Sequence, residues 1–566
     1  MTGPVFFSSS PEDFFYVSMN IPCQNACPAK TNIPAYIRSI YEKNFDQSYE
    51  TNLTANILPG VLGRICSRPC EDQCRHGEAE LGHPVNICHL KRAAADFRQQ
   101  GQNPQNLPPL NGKKVAVIGS GPSGLAAAHD LRLFGFEVTV FEAMEKPGGM
   151  LMYGIPEFRL PRDVLFQEIN AIQQMGIPIR TGVRVGKDLP LEKLKQDYHA
   201  VLAAVGCYQS LKLDIPGEHM DGVYSGLEFM IQVCSGRSFA PGNRVLVLGA
   251  GFTAFDCART ALRLGAKEVI ICLRRTEGDL RVTHDEILET KIEGVKIQSL
   301  MVAQRIIGNS KMEGVSFLRS RPGNKRADGK RGIETIPESG FEISADAVIV
   351  ATGQAPGPFE WTSAGKGEIK GNGIQNGVYL TGDYVTGPST VIEAIAMGRK
   401  AAVRIAEDIT GKKFISSSVR MEETDRTDRK RSWDFLARNP MPTIMPAVKR
   451  FSGDNPEVES GFDENLAVEE AKRCYLCYLH YEIDMDRCIY CRYCIDVAPR
   501  DCIKLVQEVK TNPDGAIVDY VETSNWEKVN AVIIDNSRCI RCGECMRVCP
   551  VDCISVTRIE WVENSI

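Results

Sequence analysis

The chain has no cationic excess. Its 566 residues carry 66 Lys and Arg against 71 Asp and Glu, a formal net charge of −5. Nucleic-acid binders advertise themselves through basic surfaces, so nucleic acid is not expected as a partner. The sequence also lacks any apolar run near the ~18 residues of a membrane span. The first residues, MTGPVFFSSSPEDFF, have neither a basic start nor an apolar stretch and do not read as a secretory signal. A complete disulfide framework is excluded too, because the 21 cysteines are odd in number. These absences predict a reducing cytoplasm, where clustered cysteines serve as metal ligands. Hydrophobic residues at 43% and charged residues at 24% are ordinary for a globular chain of several domains.

Cysteine is missing from residues 273–473, and this gap organises the chain. Six cysteines lie between Cys23 and Cys88, four are scattered between Cys207 and Cys272, and eleven crowd between Cys474 and Cys553. Both ends therefore read as metal-bearing modules. The middle alternates strands and helices, the pattern of parallel α/β sheets. The polar stretch 411–470, with its run RMEETDRTDRKR at 420–431, reads as a solvated linker.

Two glycine motifs lie in the middle. Gly119, Gly121 and Gly124 form G-x-G-x-x-G between the strand KKVAVIG and a helix that opens at Pro122 and Ser123. The first glycine permits the turn, the second lets the backbone approach a pyrophosphate, and the third lets helix and strand pack. Glu142 ends the next strand, where a carboxylate accepts ribose hydroxyls. The second motif, Gly249, Gly251, Thr253 and Ala254, has no such acid. Arg274 and Arg275 stand there instead, suited to a 2′-phosphate, so NADP is favoured over NAD. Structural ion pairing is the alternative role for both arginines. Cys207, Cys234, Cys257 and Cys272 form no C-x-x-C and read as buried inert thiols.

Residues 376–399, with Gly382, Asp383 and Thr390, read as a strand ending in Gly-Asp, a loop and a helix. On these segments the middle resembles the two-dinucleotide-fold flavoprotein reductases. The resemblance implies that the late segment completes an FAD domain, with Asp383 at the ribityl–phosphate region and the NADP domain inserted. Ala351-Thr-Gly353 would be the crossover. Gly149 belongs to a stretch, 148–161, that would line the flavin and position the nicotinamide, with core packing the alternative for its apolar members.

The C-terminal cysteines repeat internally. Cys488, Cys491 and Cys494 lead to Ala498-Pro-Arg-Asp-Cys502, and Cys539, Cys542 and Cys545 lead to Cys549-Pro-Val-Asp-Cys553. This resembles the bacterial two-cluster ferredoxins. There the fourth Cys of each run ligates the other run's [4Fe–4S] cube. The resemblance implies one cluster on Cys488, Cys491, Cys494 and Cys549. Ala498 departs from the pattern where a ligand belongs. Cys502 is the expected substitute for the cluster of Cys539, Cys542 and Cys545; a three-iron cluster or a non-protein ligand are the alternatives. Cys553 is then spare. Tetrahedral zinc is the rival reading of the C-x-x-C pairs.

The N-terminal pattern of Cys23, Cys27, Cys66, Cys70, Cys74 and Cys88 resembles the iron–sulfur domain of the glutamate synthase small subunit. That domain also occurs in dihydropyrimidine dehydrogenase and in the ferredoxin–NADP transhydrogenase large subunit. Those relatives carry an Arg-Cys-x2-Cys pair upstream of Cys23, which this chain lacks. It has that pair at Arg473-Cys474-Tyr-Leu-Cys477 instead. Position by position, the resemblance implies one cluster on Cys23, Cys74, Cys474 and Cys477 and another on Cys27, Cys66, Cys70 and Cys88. The alternative is that Cys474 and Cys477 merely precede the ferredoxin repeat.

The expected architecture is multidomain α/β. A helical Fe–S domain spans 1–110. An FAD domain takes 111–215 and 371–410, with an NAD(P)H domain inserted at 216–370. A linker covers 411–480 and an α+β two-cluster ferredoxin domain 481–566. The expected function is an oxidoreductase that passes electrons from NADPH through FAD and four [4Fe–4S] clusters to a protein acceptor, or the reverse. No catalytic acid or base is expected. The acceptor or donor would be a ferredoxin or a partner subunit, in a hetero-oligomer or homodimer. Two other readings stand: an electron-transfer subunit of a larger complex, and a glutamate synthase small subunit. There is no room for a substrate-converting barrel, which favours the first; the appended repeat weighs against the second.

Overall fold

The computed structural model of the chain describes residues 20–78, 82–99, 107–280, 282–325, 331–357, 374–375, 377–425, 427–445, 447–451, 453, 455–511 and 517–565. The N-terminal stretch considered above as a signal lies outside these residues. No described helix is long and apolar enough to cross a membrane. The chain divides into two compact units. One comprises 104–405 and 443–460; the other comprises 1–103, 406–442 and 461–566.

The first unit is built on two parallel sheets. Lys114–Ile118 is central to one of them, with Glu137–Phe141 on one side and Ala200–Ala203 on the other. The strand is buried after its first residue, as expected where helices cover both faces. The late strand Val378–Leu380 pairs in parallel with Ala200–Ala203, so the Gly-Asp segment does return to the first sheet. The following helix, Val391–Thr410, is tied to helix Pro122–Leu133 by Arg399 on Asp130 at 2.7 Å.

The second parallel sheet runs Val223–Ser225, Ala347–Val350, Arg244–Leu248, Glu268–Cys272 and Lys296–Gln298. An antiparallel sheet of Met301–Gly308, Met312–Lys325, Arg331–Thr335 and Phe341–Ser344 is attached. The chain leaves the first sheet after Ala203 and comes back at Val378. The crossings out and back pair briefly as Gln209–Ser210 with Gln354–Ala355. The second dinucleotide fold is therefore inserted in the first.

The other unit holds the N-terminal helices, among them Ile33–Tyr41, Phe45–Leu53, Pro59–Ile65 and Ile87–Asp96. It also holds two small antiparallel sheets. Here the expected linker is corrected. Ile415–Glu423 is a strand paired along its length with Ile554–Ser565. The charges of the run alternate along it: Val419 is buried, while Arg420 bonds Glu560 at 2.8 Å and Glu422 bonds Arg558 at 2.5 Å across the pair. Period-two alternation with charges on one face is an edge-strand signature as much as a linker signature. Residues 443–460 group with the first unit.

Within that first unit, Arg450 is fully buried and bonds Glu289 at 2.5 Å, with Glu293 at 3.6 Å. Glu293 also receives Arg259 and Arg263, both at 2.7 Å. Removing one member of a buried ion network leaves its partners uncompensated. Arg450→Met is accordingly expected to cost about 3–5 kcal/mol, read as a lowered first thermal transition by calorimetry.

Candidate functional site

The first glycine motif makes a cradle of bare backbone. A Cβ on Gly149 would lie 2.8 Å from the Cα of Gly121, and Gly149 sits at φ 55°, so two glycines face each other where a pyrophosphate must approach. A Cβ on Gly124 would overlap the carbonyl oxygen of Gly119. Pro122 opens the helix at its first turn, and Ser123 Oγ lies 3.1 Å from Thr381 Oγ1, joining the motif to the late strand. Glu142 is buried, accepting Ser120 N at 2.9 Å and Ser120 Oγ at 2.6 Å on one oxygen and Met144 N at 2.8 Å on the other. Oε1, which accepts only Met144 N, keeps a lone pair for a ribose.

Gly382 is at φ 66° and leads into Asp383, whose carboxylate accepts Ser389 Oγ at 2.5 Å. Burial raises the Asp383 pKa, against the bond from Ser389. Thr390 and Glu393 exchange bonds as a capping box: Thr390 N donates to Glu393 at 2.9 Å and Glu393 N to Thr390 Oγ1 at 3.3 Å. Cys207 Sγ donates to the Asp383 carbonyl at 3.1 Å, and burial pushes its thiol up to about 12. Cys257 and Cys272 are equally buried, so these thiols sit as packing groups.

The second motif borders a cavity of about 430 Å³ whose walls include Gly249, Gly251, Thr253, Arg274, Arg275 and Gly353. Ala254 is fully buried behind it. No described carboxylate pairs with Arg274 or Arg275, and Arg275 Nε is buried without a partner. This donor set fits an anion and disfavours the ion-pair role. Phe158, from the stretch 148–161, is capped by Arg263 at 3.7 Å and Arg259 at 4.7 Å. Arg159 bonds Asp256 at 2.8 Å. Sequence reading missed this contact between the two dinucleotide halves, because its partners are scattered charges with no motif.

In the other unit the sixteen singled-out thiols gather in fours. All 21 cysteines are unpaired. Among the described residues, no three His, Cys, Asp or Glu close in on a single metal ion; the thiols ring cavities instead. Cys23, Cys74, Cys474 and Cys477 line one cavity. Burial, then Cys477, Cys74 and Cys474 in turn, raise the Cys23 pKa. Burial and Cys477 likewise push Cys474 up to about 12. The far pair is locked in by Arg473, fully buried, which donates to His83 O at 2.6 Å and Pro84 O at 3.2 Å and pairs with Glu470 at 2.7 Å.

Cys66, Cys70 and Cys88 are hydrogen-bond neighbours, with Cys27 beside Cys70. The buried Lys91 faces all four. Cys488, Cys491, Cys494 and Cys549 line a further cavity, joined by Cys553, whose Sγ is 3.5 Å from that of Cys549. Cys502 bonds Cys539 and lies near Cys545 and Cys542. The bond from Cys502, more than the Arg541 and Arg429 guanidiniums, holds the Cys539 thiol below its ordinary range, against burial. Clustered thiols that raise one another's pKa disfavour the bare thiolates, which a cationic centre among them would offset. They suit a centre that takes them as thiolates.

The four groups run in series. Tyr36 lies among Cys70, Cys88, Cys23 and Cys27. Cys477 packs with Tyr475, Ile540 and Cys542. Arg429, fully buried, donates to Cys474 O at 3.0 Å and Ile540 O at 2.9 Å. Cys494 neighbours Cys545. Lys91, Arg429 and Arg541 escaped sequence reading. Only Lys91, three residues after Cys88 on a helical pattern, left a signal.

Comparison with known proteins matches three parts of the chain to family patterns. The pattern of the pyridine nucleotide-disulphide oxidoreductases matches residues 113–398. That of dihydropyrimidine dehydrogenase domain II, 4Fe-4S cluster, matches 17–103, and a 4Fe-4S dicluster domain matches 487–553. The chain is 34% identical over 505 residues to NADPH-Fe(3+) oxidoreductase subunit beta of Geobacter sulfurreducens, covering 81% of this chain and 75% of that one. It is 33% identical to NADP(+)-dependent formate dehydrogenase subunit beta of Moorella thermoacetica, covering 81% and 70%. It is 34% identical to glutamate synthase [NADPH] small chain of Escherichia coli, covering 67% and 87%.

Cys502→Ala is expected to remove about four iron atoms per chain, one cube, by iron analysis of anaerobically purified protein. Cys553→Ala is expected to leave the iron content unchanged.

Proposed function

The chain belongs to the pyridine nucleotide-disulphide oxidoreductase family, in the branch of the glutamate synthase small chains and NADPH–Fe(3+) oxidoreductase beta subunits, and from this we propose that it carries electrons from NADPH to a partner protein through FAD and four [4Fe–4S] clusters. The observation that carries the reading is the series of four thiol quartets in one unit, with Cys477 packed against Cys542 between the second and third. FAD, when bound, supplies the conversion of a hydride into single electrons, which the clusters carry.

The chain's own residues bind and orient. Gly119, Gly121 and Gly149 bare the backbone toward the FAD pyrophosphate, Glu142 takes a ribose, and Asp383 meets the ribityl–phosphate region. Gly251 and Thr253 open the helix that receives the nicotinamide cofactor's phosphates, while Arg274 and Arg275 hold its 2′-phosphate. Arg159 on Asp256 and Phe158 under Arg263 keep the two dinucleotide halves in register, which orientation of a hydride donor requires. No side chain is needed as acid or base. Twenty-one unpaired thiols support a reducing compartment such as the cytoplasm.

The partner is read as a second polypeptide, making this chain the electron-transfer subunit of a complex. The cavity of Cys488, Cys491 and Cys494 is edged by Ile489, Tyr490 and Trp526, all exposed, whereas the equivalent Ile540 and Arg541 of the second repeat are buried. That leaves one cluster at the surface for exchange with a protein.

Anaerobic addition of NADPH is expected to bleach FAD and bring up cluster EPR signals in a chain holding about 16 iron atoms, four per cube. Bound zinc, or iron below about 12 atoms, more than one whole cube short, would overturn the reading. Arg275→Ala is expected to lower kcat/KM for NADPH by about 10- to 100-fold, from about 1.5–3 kcal/mol for a hydrogen bond to a charged group, with NADH turnover unchanged.

A further inference from the structure

We propose that Lys91 is the built-in counter-cation of the cluster held by Cys27, Cys66, Cys70 and Cys88, and that its charge stabilises that cluster in the reduced form. The inference rests on the reading of those four thiols as the ligands of a [4Fe–4S] cube.

Lys91 lies on helix Ile87–Asp96, one turn beyond Cys88 and on the same face. It is 4% exposed, so little of this long side chain reaches water, unlike most lysines. The cations beside it are accounted for: Arg64 and Arg92 each bond Asp96 at 3.0 Å. No described carboxylate pairs with Lys91. Its titratable neighbours are Cys88, Cys66, Cys27 and Cys70. The far side of this pocket is closed by Tyr36, fully buried, whose hydroxyl donates to Ile87 O at 2.9 Å.

An ammonium buried without an anion costs several kcal/mol and loses its charge. A cube with four thiolates is a dianion when oxidised and a trianion after accepting an electron. The attraction to a fixed cation grows with that added charge, and low dielectric enlarges it. Lys91 therefore favours the reduced state and moves the midpoint potential upward. The exposed loop of Cys488, Cys491 and Cys494 has no buried lysine of this kind, since Arg487 and Arg492 are both exposed. The chain thus gives its buried N-terminal cluster an electrostatic setting that the surface cluster lacks.

The test is an anaerobic redox titration of the full-length holoprotein followed by EPR, with iron analysis of each variant. Cys88→Ala identifies the one-electron step that belongs to this cluster. In Lys91→Met and Lys91→Gln that step is expected to move to a more negative potential while the others stay in place, and Lys91→Arg is expected to restore it. Loss of this cluster's iron in Lys91→Met and Lys91→Gln, with retention in Lys91→Arg, would equally support the counter-cation. An unmoved step in Lys91→Met, an equal shift in Lys91→Arg, or loss of the iron in all three overturns the proposal while leaving the ligand reading intact. If Cys88→Ala removes neither iron nor a step, the ligand reading itself fails.

Discussion

The structure depends on a single closure. Two of the thiols around one cavity, Cys23 and Cys74, come from the start of the chain, and the other two, Cys474 and Cys477, from some four hundred residues later. A low-dielectric pocket disfavours the apposed thiolates that a metal centre needs until something cationic binds them, so the closure needs its own support. Arg473 and Glu470 provide it. Both are fully buried, they pair at 2.7 Å, and between them they satisfy the backbone of His83, Pro84 and Asn86. A buried pair whose remaining donors and acceptors all find backbone partners is one of the few that fixes register without a net desolvation loss. The same closure brings Tyr475 and Cys477 against Ile540 and Cys542. It turns a helical domain and a ferredoxin-like repeat, distant in sequence, into one compact unit.

Buried arginine is the recurrent device. Arg259, Arg429, Arg450, Arg473 and Arg541 are all almost wholly buried. They divide by task. Arg259 and Arg450 meet carboxylates and join segments of the nucleotide-binding unit. Arg429 and Arg541 instead donate to backbone carbonyls around cysteines: Cys474 and Ile540 for the first, Leu479 and Cys539 for the second. A guanidinium suits this position because its fixed fork satisfies several carbonyls at once while its charge remains for the thiolates.

Much of this was legible in the sequence, and the reasons differ by element. The two glycine motifs could be read because a Cβ on Gly119, Gly124 or Gly249 would overlap a backbone carbonyl. The insertion of one dinucleotide fold in the other followed from the late Gly382-Asp383 segment. The quartets followed from spacing and resemblance, and Cys502 from the gap at Ala498. What escaped reading has no periodic or motif signature. The run at 420–431 reads as a solvated linker as long as its charges are counted without their alternation. In the fold Val419 turns inward, and Arg420 and Glu422 pair across strands. Arg429, in the same run, is buried only because the far ends of the chain meet around it.

The internal repeat shows why alike sequences need not make alike sites. Cys488-Ile-Tyr-Cys491 and Cys539-Ile-Arg-Cys542 share spacing, and both loops take the left-handed conformation at the third residue, Tyr490 and Arg541. Ile489 is 59% exposed, but Ile540 is 0% exposed. The difference lies outside the repeat. The second loop is covered by Tyr475 and Arg429, contributed by the segments that the N-terminal closure draws in. The departure at Ala498 follows the same division. Beside the covered quartet Cys502, from beyond the Pro499 turn, is buried next to Cys539, where the proposed reading needs a fourth ligand. The uncovered quartet keeps Cys549, in the usual place. Cover on one side and exposure on the other give a symmetric repeat a direction, an inner end fixed by the rest of the chain and an outer end open to a partner.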